Sequence, residues 1–132
     1  MLITHVPAHV TILVPFVPLD ELDVDALREL VASQAAFDFV LDRVEHWEGG
    51  IVWLHPEPSE PFSRLIRAVW ERWPECPPYE GTHEIVIPHL TVSEEPVEVD
   101  PPLPIAARAD EVTLIEEEEP GVWVERMRFP LA

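Results

Sequence analysis

The chain has 132 residues, 47% of them hydrophobic, which suits a single folded domain spanning residues 1–132 and excludes a disordered chain. Against 26 acidic residues it sets 8 basic ones, a net charge of -18, and all eight are arginine because the sequence holds no lysine. Such a chain has no basic stripe along which an extended nucleic acid could neutralise its phosphates, and no run of roughly 20 apolar residues that could cross a membrane. Its 16 prolines exceed twice the usual share of about 5% and predict short elements with stiff connections. The single cysteine, Cys76, can form no disulfide within the chain and fits a reducing, cytoplasmic setting.

The first nineteen residues are apolar, yet they carry no lysine or arginine and are broken by Pro7, Pro15 and Pro18. They read as a core strand over residues 9–15 rather than a targeting segment. From Asp20 onward, Leu22, Ala26, Leu27, Leu30 and Val31 recur at three- and four-residue steps, which predicts a helix ending near Gln34. Phe37, Phe39 and Leu41 then alternate with other residues, and Gly49-Gly50 separates this run from Ile51 to His55, as in a hairpin. Residues 59–73 give the clearest helix, capped by Ser59 and striped by Phe62, Leu65, Ile66, Val69, Trp70 and Trp73.

A proline-rich loop from Pro74 to Gly81 leads to a second apolar run around His89. The stretch from Glu94 to Pro104 has too many prolines for a helix. Strands are expected at Ile105–Ala109, Val112–Ile115 and Val122–Phe129, with Glu116 to Glu119 as an exposed turn before Pro120-Gly121. Strands that flank helices without regular alternation predict an α+β fold.

Two short segments carry the chemistry. Pro7-Ala8-His9-Val10-Thr11-Ile12 and Pro88-His89-Leu90-Thr91-Val92 each set a histidine and a hydroxyl two positions apart in an apolar run. On a strand, residues i and i+2 share a face, so His9, Thr11, His89 and Thr91 could line one cleft while Val10, Ile12, Leu90 and Val92 face the core. Two imidazoles flanking one reacting centre suit a reaction that needs a general acid and a general base, such as phosphodiester cleavage. A pair of that kind gives a bell-shaped pH profile.

The tandem His-x-Thr segments, HVTI and HLTV, and the order of elements around them resemble the two-histidine phosphoesterases, the superfamily of bacterial 2′-5′ RNA ligase-like proteins and cyclic phosphodiesterases. The resemblance extends through PAHVTILVPF, PPYEGTHEIVIPHLTV and ADEVTLIEEEEPGVWVERMRFPL, nearly the whole chain. It implies two pseudo-symmetric lobes of antiparallel sheet with covering helices and a central cleft, one lobe trimmed here because no helix follows the second segment. By the same resemblance, His9 and His89 are the acid and base and Thr11 and Thr91 bind the phosphate. No metal and no other cofactor are needed. The implied enzyme hydrolyses a 2′,3′-cyclic phosphate or a small 2′-5′ linked nucleotide, with hydrolysis favoured over ligation. The alternative is a nucleotide- or phosphate-binding module that keeps the cleft without turnover. The partner is then a small nucleotide or an RNA end, and the protein a monomer.

Other residues offer weaker signals. Tyr79 and His83, in the loop entering the second segment, could form a lip of the cleft. Arg126 and Arg128 alternate on the last strand and could support a phosphate charge or offset the acidic surface. His83-Glu84 followed by His89 lacks the helical spacing of a zinc site, because Ile85, Ile87 and Pro88 favour a strand. Most of Trp47, Trp53, Trp70, Trp73 and Trp123 sit in periodic elements and are expected in the core. His5, His46 and His55 have no partner at an informative spacing.

Overall fold

The computed structural model describes residues 2–3, 8–82 and 86–132. The fold is α+β, with two antiparallel sheets and two α-helices among the described residues. One sheet runs in the order β1 (Leu2–Ile3), β7 (Val122–Pro130), β6 (Glu111–Glu119). The other runs β4 (Leu90–Ser93), β3 (Val52–Glu57), β2 (Phe37–His46), β5 (Ile105–Ala109). Only Asp110 separates β5 from β6, so the chain leaves one sheet and enters the other across a single residue.

The helices are α1 (Val24–Ala32) and α2 (Glu60–Arg72). Pro18 opens a 3-10 turn at Leu19–Glu21, and α1 starts only after Asp23, whose carboxylate accepts from Ala26 N at 3.1 Å. This is an ordinary N-cap, and it sets the helix start at Val24, four residues later than the periodicity from Asp20 suggests. Ser59 occupies the cap position of α2 without a side-chain bond to the helix; its carbonyl takes Phe62 N and Ser63 N instead. The inner faces of both helices meet β7 in one core, where Leu27, Val31, Leu65, Val69, Trp73 and Leu131 cluster with the fully buried Phe129. Phe62 extends this packing to the other sheet, meeting Phe37 and Phe39 edge-on at 4.9 Å each.

The β2–β3 hairpin closes through Gly49 and Gly50, both at φ 98°, with Trp47 N bonded to Ile51 O at 2.9 Å. A Cβ on Gly50 would lie 2.8 Å from Cδ of Pro96, so the glycine also admits the proline-rich segment that follows β4. No helix forms between Ser93 and Ile105, as the prolines require.

Several expectations need correction. Residues 9–15 are not a strand: among the described residues Val10 alone pairs, in an isolated bridge, and Pro15, with no N–H to donate, ends the run. Glu116 to Glu119 is not a turn but the end of β6, opposite Val122, Trp123 and Val124 of β7. Arg126 makes this acidic strand tenable, with Nε 2.8 Å from Glu116 and a terminal nitrogen 2.8 Å from Glu118. Trp70 and Val92 lie outside the core, at 40% and 44% exposure.

Glu116 also ties the two halves of the chain, since its Oε2 accepts from Leu19 N at 3.2 Å. That backbone N–H, and then Arg126, hold its carboxyl below the usual carboxylate range. A folded-state pKa below the unfolded one adds stability that is complete above the unfolded value and disappears as pH falls through the folded one. Glu116→Gln is therefore expected to lose less stability than the parent on acidification from about pH 5 to about pH 3. Urea titrations at several pH values would show it; parallel acid limbs for the two proteins would refute the assignment.

Candidate active site

Val10 and Leu90 form an antiparallel bridge, and it sets the two His-x-Thr segments side by side. Carried one residue outward, that antiparallel register would set residue 9 against 91 and 11 against 89, on the face opposite Val10 and Leu90. In such a register positions 9 and 89 are diagonal to each other across the two segments. β4 pairs in turn with β3, Thr91 opposite Trp53 and Leu90 opposite Leu54, so the face of the two threonines continues onto Trp53.

His89 is half-buried and held on several sides. Its Nδ1 lies 2.7 Å from the carbonyl oxygen of Ile87. A carbonyl only accepts, so Nδ1 carries the hydrogen and donates, and Nε2 is left to exchange a proton with a ligand. The ring packs edge-on to Trp47, with centroids 4.6 Å apart, and meets Trp53 at 6.1 Å. Trp47 and Trp53 pack on each other at 4.7 Å, fixing the wall against which the imidazole rests. Trp53 Nε1 is buried with no hydrogen-bond partner among the described residues. His9, by contrast, is exposed.

Tyr79 joins this group from the loop before the second segment. Its side chain hydrogen-bonds that of Thr11, and its backbone N donates to Val14 O at 2.6 Å. Burial pushes the Tyr79 phenol up, while the bond to Thr11 pulls it partly back. His83 lies outside the described residues. Arg126 is engaged by Glu116 and Glu118, and Arg128 by Glu125 and, at 3.4 Å, Glu111.

Sequence reasoning missed the aromatic wall and a histidine beyond it. His55 follows Trp53 at i+2 on β3, their rings 6.2 Å apart, and its Nδ1 sits 2.9 Å from Asp42 Oδ1. The Trp-x-His alternation was a readable signal for a shared face, but the pairing to Asp42 depends on the irregular register of β2 between Leu41 and Arg43. Asp42, His55 and Glu57 each offer a ligand atom within 4.8 Å of the others and could hold a cation. Their contacts are already those of an ion-pair network, since Asp42 also meets Arg43 at 3.7 Å. A hollow of about 680 Å³ bounded by Asp38, Phe39, Val40, Glu57, Pro58 and Ala106 to Arg108 contains neither His-x-Thr segment.

Two small antiparallel sheets, two helices packed on a common core, and paired His-x-Thr segments joined by one bridge are the arrangement expected of the two-histidine superfamily. The chain belongs to the 2′-5′ RNA ligase superfamily, whose family profile it matches over residues 2–121. Among solved structures it is similar to E. coli LigT in its apo form, at 20% identity and a TM-score of 0.65, covering 95% of this chain and 76% of that one. It is similar also to a protein described as a phosphoesterase, at 18% identity and 0.63 over 95% of this chain and 77% of that one. The third, TT0787 of Thermus thermophilus, gives 18% and 0.60 over 93% and 77%. No curated protein matched in sequence. Among the described residues no helix is long and apolar enough to cross a membrane.

Proposed function

We propose that this protein is a metal-independent phosphoesterase that hydrolyses a 2′,3′-cyclic phosphate or a small 2′-5′ linked nucleotide. The observation that supports this reading is the Val10–Leu90 bridge, which brings the two His-x-Thr segments side by side. One imidazole takes a proton from water as its oxygen bonds to phosphorus. The other gives a proton to the departing ribose oxygen as the second P–O bond breaks. The threonine hydroxyls donate to nonbridging oxygens, whose charge grows in the transition state. After turnover the two imidazoles have exchanged protonation states and reset through solvent, which His9, being exposed, readily reaches. Acid, base and phosphate donors are then all side chains of this chain, and Lewis-acid assistance is not required.

A small substrate fits better than a long one. LigT has been crystallised with 3′-AMP and with NADP+, and a nucleotide of that size is what we expect in this cleft. A net charge of -18 opposes the approach of an extended polyanion. Binding without turnover is the second reading, and it is favoured by the arginine pairings: Arg126 and Arg128 are both occupied by glutamates and Arg108 by Asp38 at 2.9 Å.

Assay against a panel of 2′,3′-cyclic nucleotides and 2′-5′ linked dinucleotides, with and without chelator, separates the two. Chelator-resistant release of a nucleoside monophosphate supports hydrolysis. Thermal stabilisation by nucleotides without product supports the binding module, and neither response defeats both.

A further inference from the structure

Tyr79 is the one tyrosine of the chain, and its backbone is unusual. It has φ 52° and ψ 35°, and Glu80 follows at φ 57° and ψ 25°, two successive non-glycine residues in the left-handed region. Side chains with a Cβ hold that conformation only where their surroundings over-determine it, and such positions cluster at functional sites. Here the determinants are visible. Pro77 and the fully buried Pro78 fix the approach, and the Tyr79 carbonyl accepts from Thr82 N at 3.1 Å and Thr82 Oγ1 at 2.7 Å. Two further contacts, Tyr79 N to Val14 O and the phenol to the Thr11 side chain, both reach the segment of the first His-x-Thr. The loop that leads into one histidine segment thus grips the other.

A threonine hydroxyl has one hydrogen and two lone pairs, and it rotates to suit its neighbours. We propose that Tyr79 is a positioning residue, whose phenol O–H donates to Thr11 Oγ1 and so commits the Thr11 hydroxyl hydrogen to a phosphate oxygen in the cleft. This rests on the phosphoesterase reading above and adds to it the group that orients one phosphate donor. Ionisation of the phenol reverses the bond: a tyrosinate accepts, Thr11 donates to it, and the phosphate loses its partner. Activity therefore falls at a pH above the ordinary tyrosine range, because burial holds the phenol protonated beyond it.

Kinetics on adenosine 2′,3′-cyclic phosphate with Tyr79→Phe, Thr11→Val and the double variant test the proposal. Tyr79→Phe is expected to lower kcat/KM by about 5- to 20-fold, with its alkaline limb abolished, and to add nothing in the Thr11→Val background. An unchanged kcat/KM in Tyr79→Phe, or losses that multiply in the double variant, overturns it. A second measurement does not depend on turnover: tyrosinate absorbance reports this lone phenol, and Thr11→Val should move its titration upward. Should the parent turn over no cyclic phosphate, the phosphoesterase reading falls and the titration alone decides: an upward shift sustains the Tyr79–Thr11 coupling, and an unmoved curve ends it.

Discussion

Replacing His89 with alanine is expected to lower turnover of a 2′,3′-cyclic nucleotide by about 10²- to 10⁴-fold, the range for loss of one general acid or base. The ring cannot be substituted by a neighbour. Its Nδ1 is committed to the Ile87 carbonyl, Trp47 and Trp53 fix its plane, and water at the vacated position has neither the pKa nor the restraint of an imidazole. His9→Ala should cost a similar factor although His9 is exposed, because the two groups act in one proton-transfer sequence. The double variant should then be little worse than either single, since residues that act as a unit lose their joint contribution once. Circular dichroism and thermal melts alongside the kinetics keep folding separate from chemistry. Retention of more than about a tenth of the activity in either single variant is incompatible with an acid/base pair.

Phe129→Ala is the substitution expected to damage stability most. Phe129 is fully buried on β7 where α1, α2 and the strand meet, with the Arg28 guanidinium 5.8 Å from its ring centroid. Truncation removes a large apolar group and leaves a cavity, at a cost of about 3–5 kcal/mol, against a total stability of roughly 5–15 kcal/mol for a domain. For a chain of this length that corresponds to a fall in Tm on the order of 10–20 °C. Differential scanning calorimetry would measure it; a shift of only a degree or two would mean that the three elements do not share one core. Leu131 and Val31 pack in the same cluster, so double variants with Phe129 should be less than additive.

The helices and the hairpin were legible in the sequence because their signals are local. An apolar residue every three or four positions describes α2 from Glu60 to Arg72 nearly to the residue, and the glycine pair marks the hairpin turn. The acidic run at Glu116 was not legible. A block of four glutamates reads as solvated turn until β7 supplies backbone partners and Arg126 supplies charge, and both come from later in the chain. The first histidine segment misled in the opposite sense: its apolar alternation is that of a strand, but pairing is a property of two segments, and among the described residues Val10 alone finds a partner.

The repetition of His-x-Thr singled out four side chains from sequence alone, because spacing by two puts histidine and threonine on one face wherever the backbone is extended. It also determined the acidic, lysine-free character of the surface that a substrate must approach. Tertiary structure decided what surrounds those four groups. Trp47 and Trp53 stand against His89, and Tyr79 reaches Thr11 from 68 positions away in the chain. Contacts of this kind arise from sheet register and from a left-handed bend after Pro78, neither of which has a period in the sequence that could announce it.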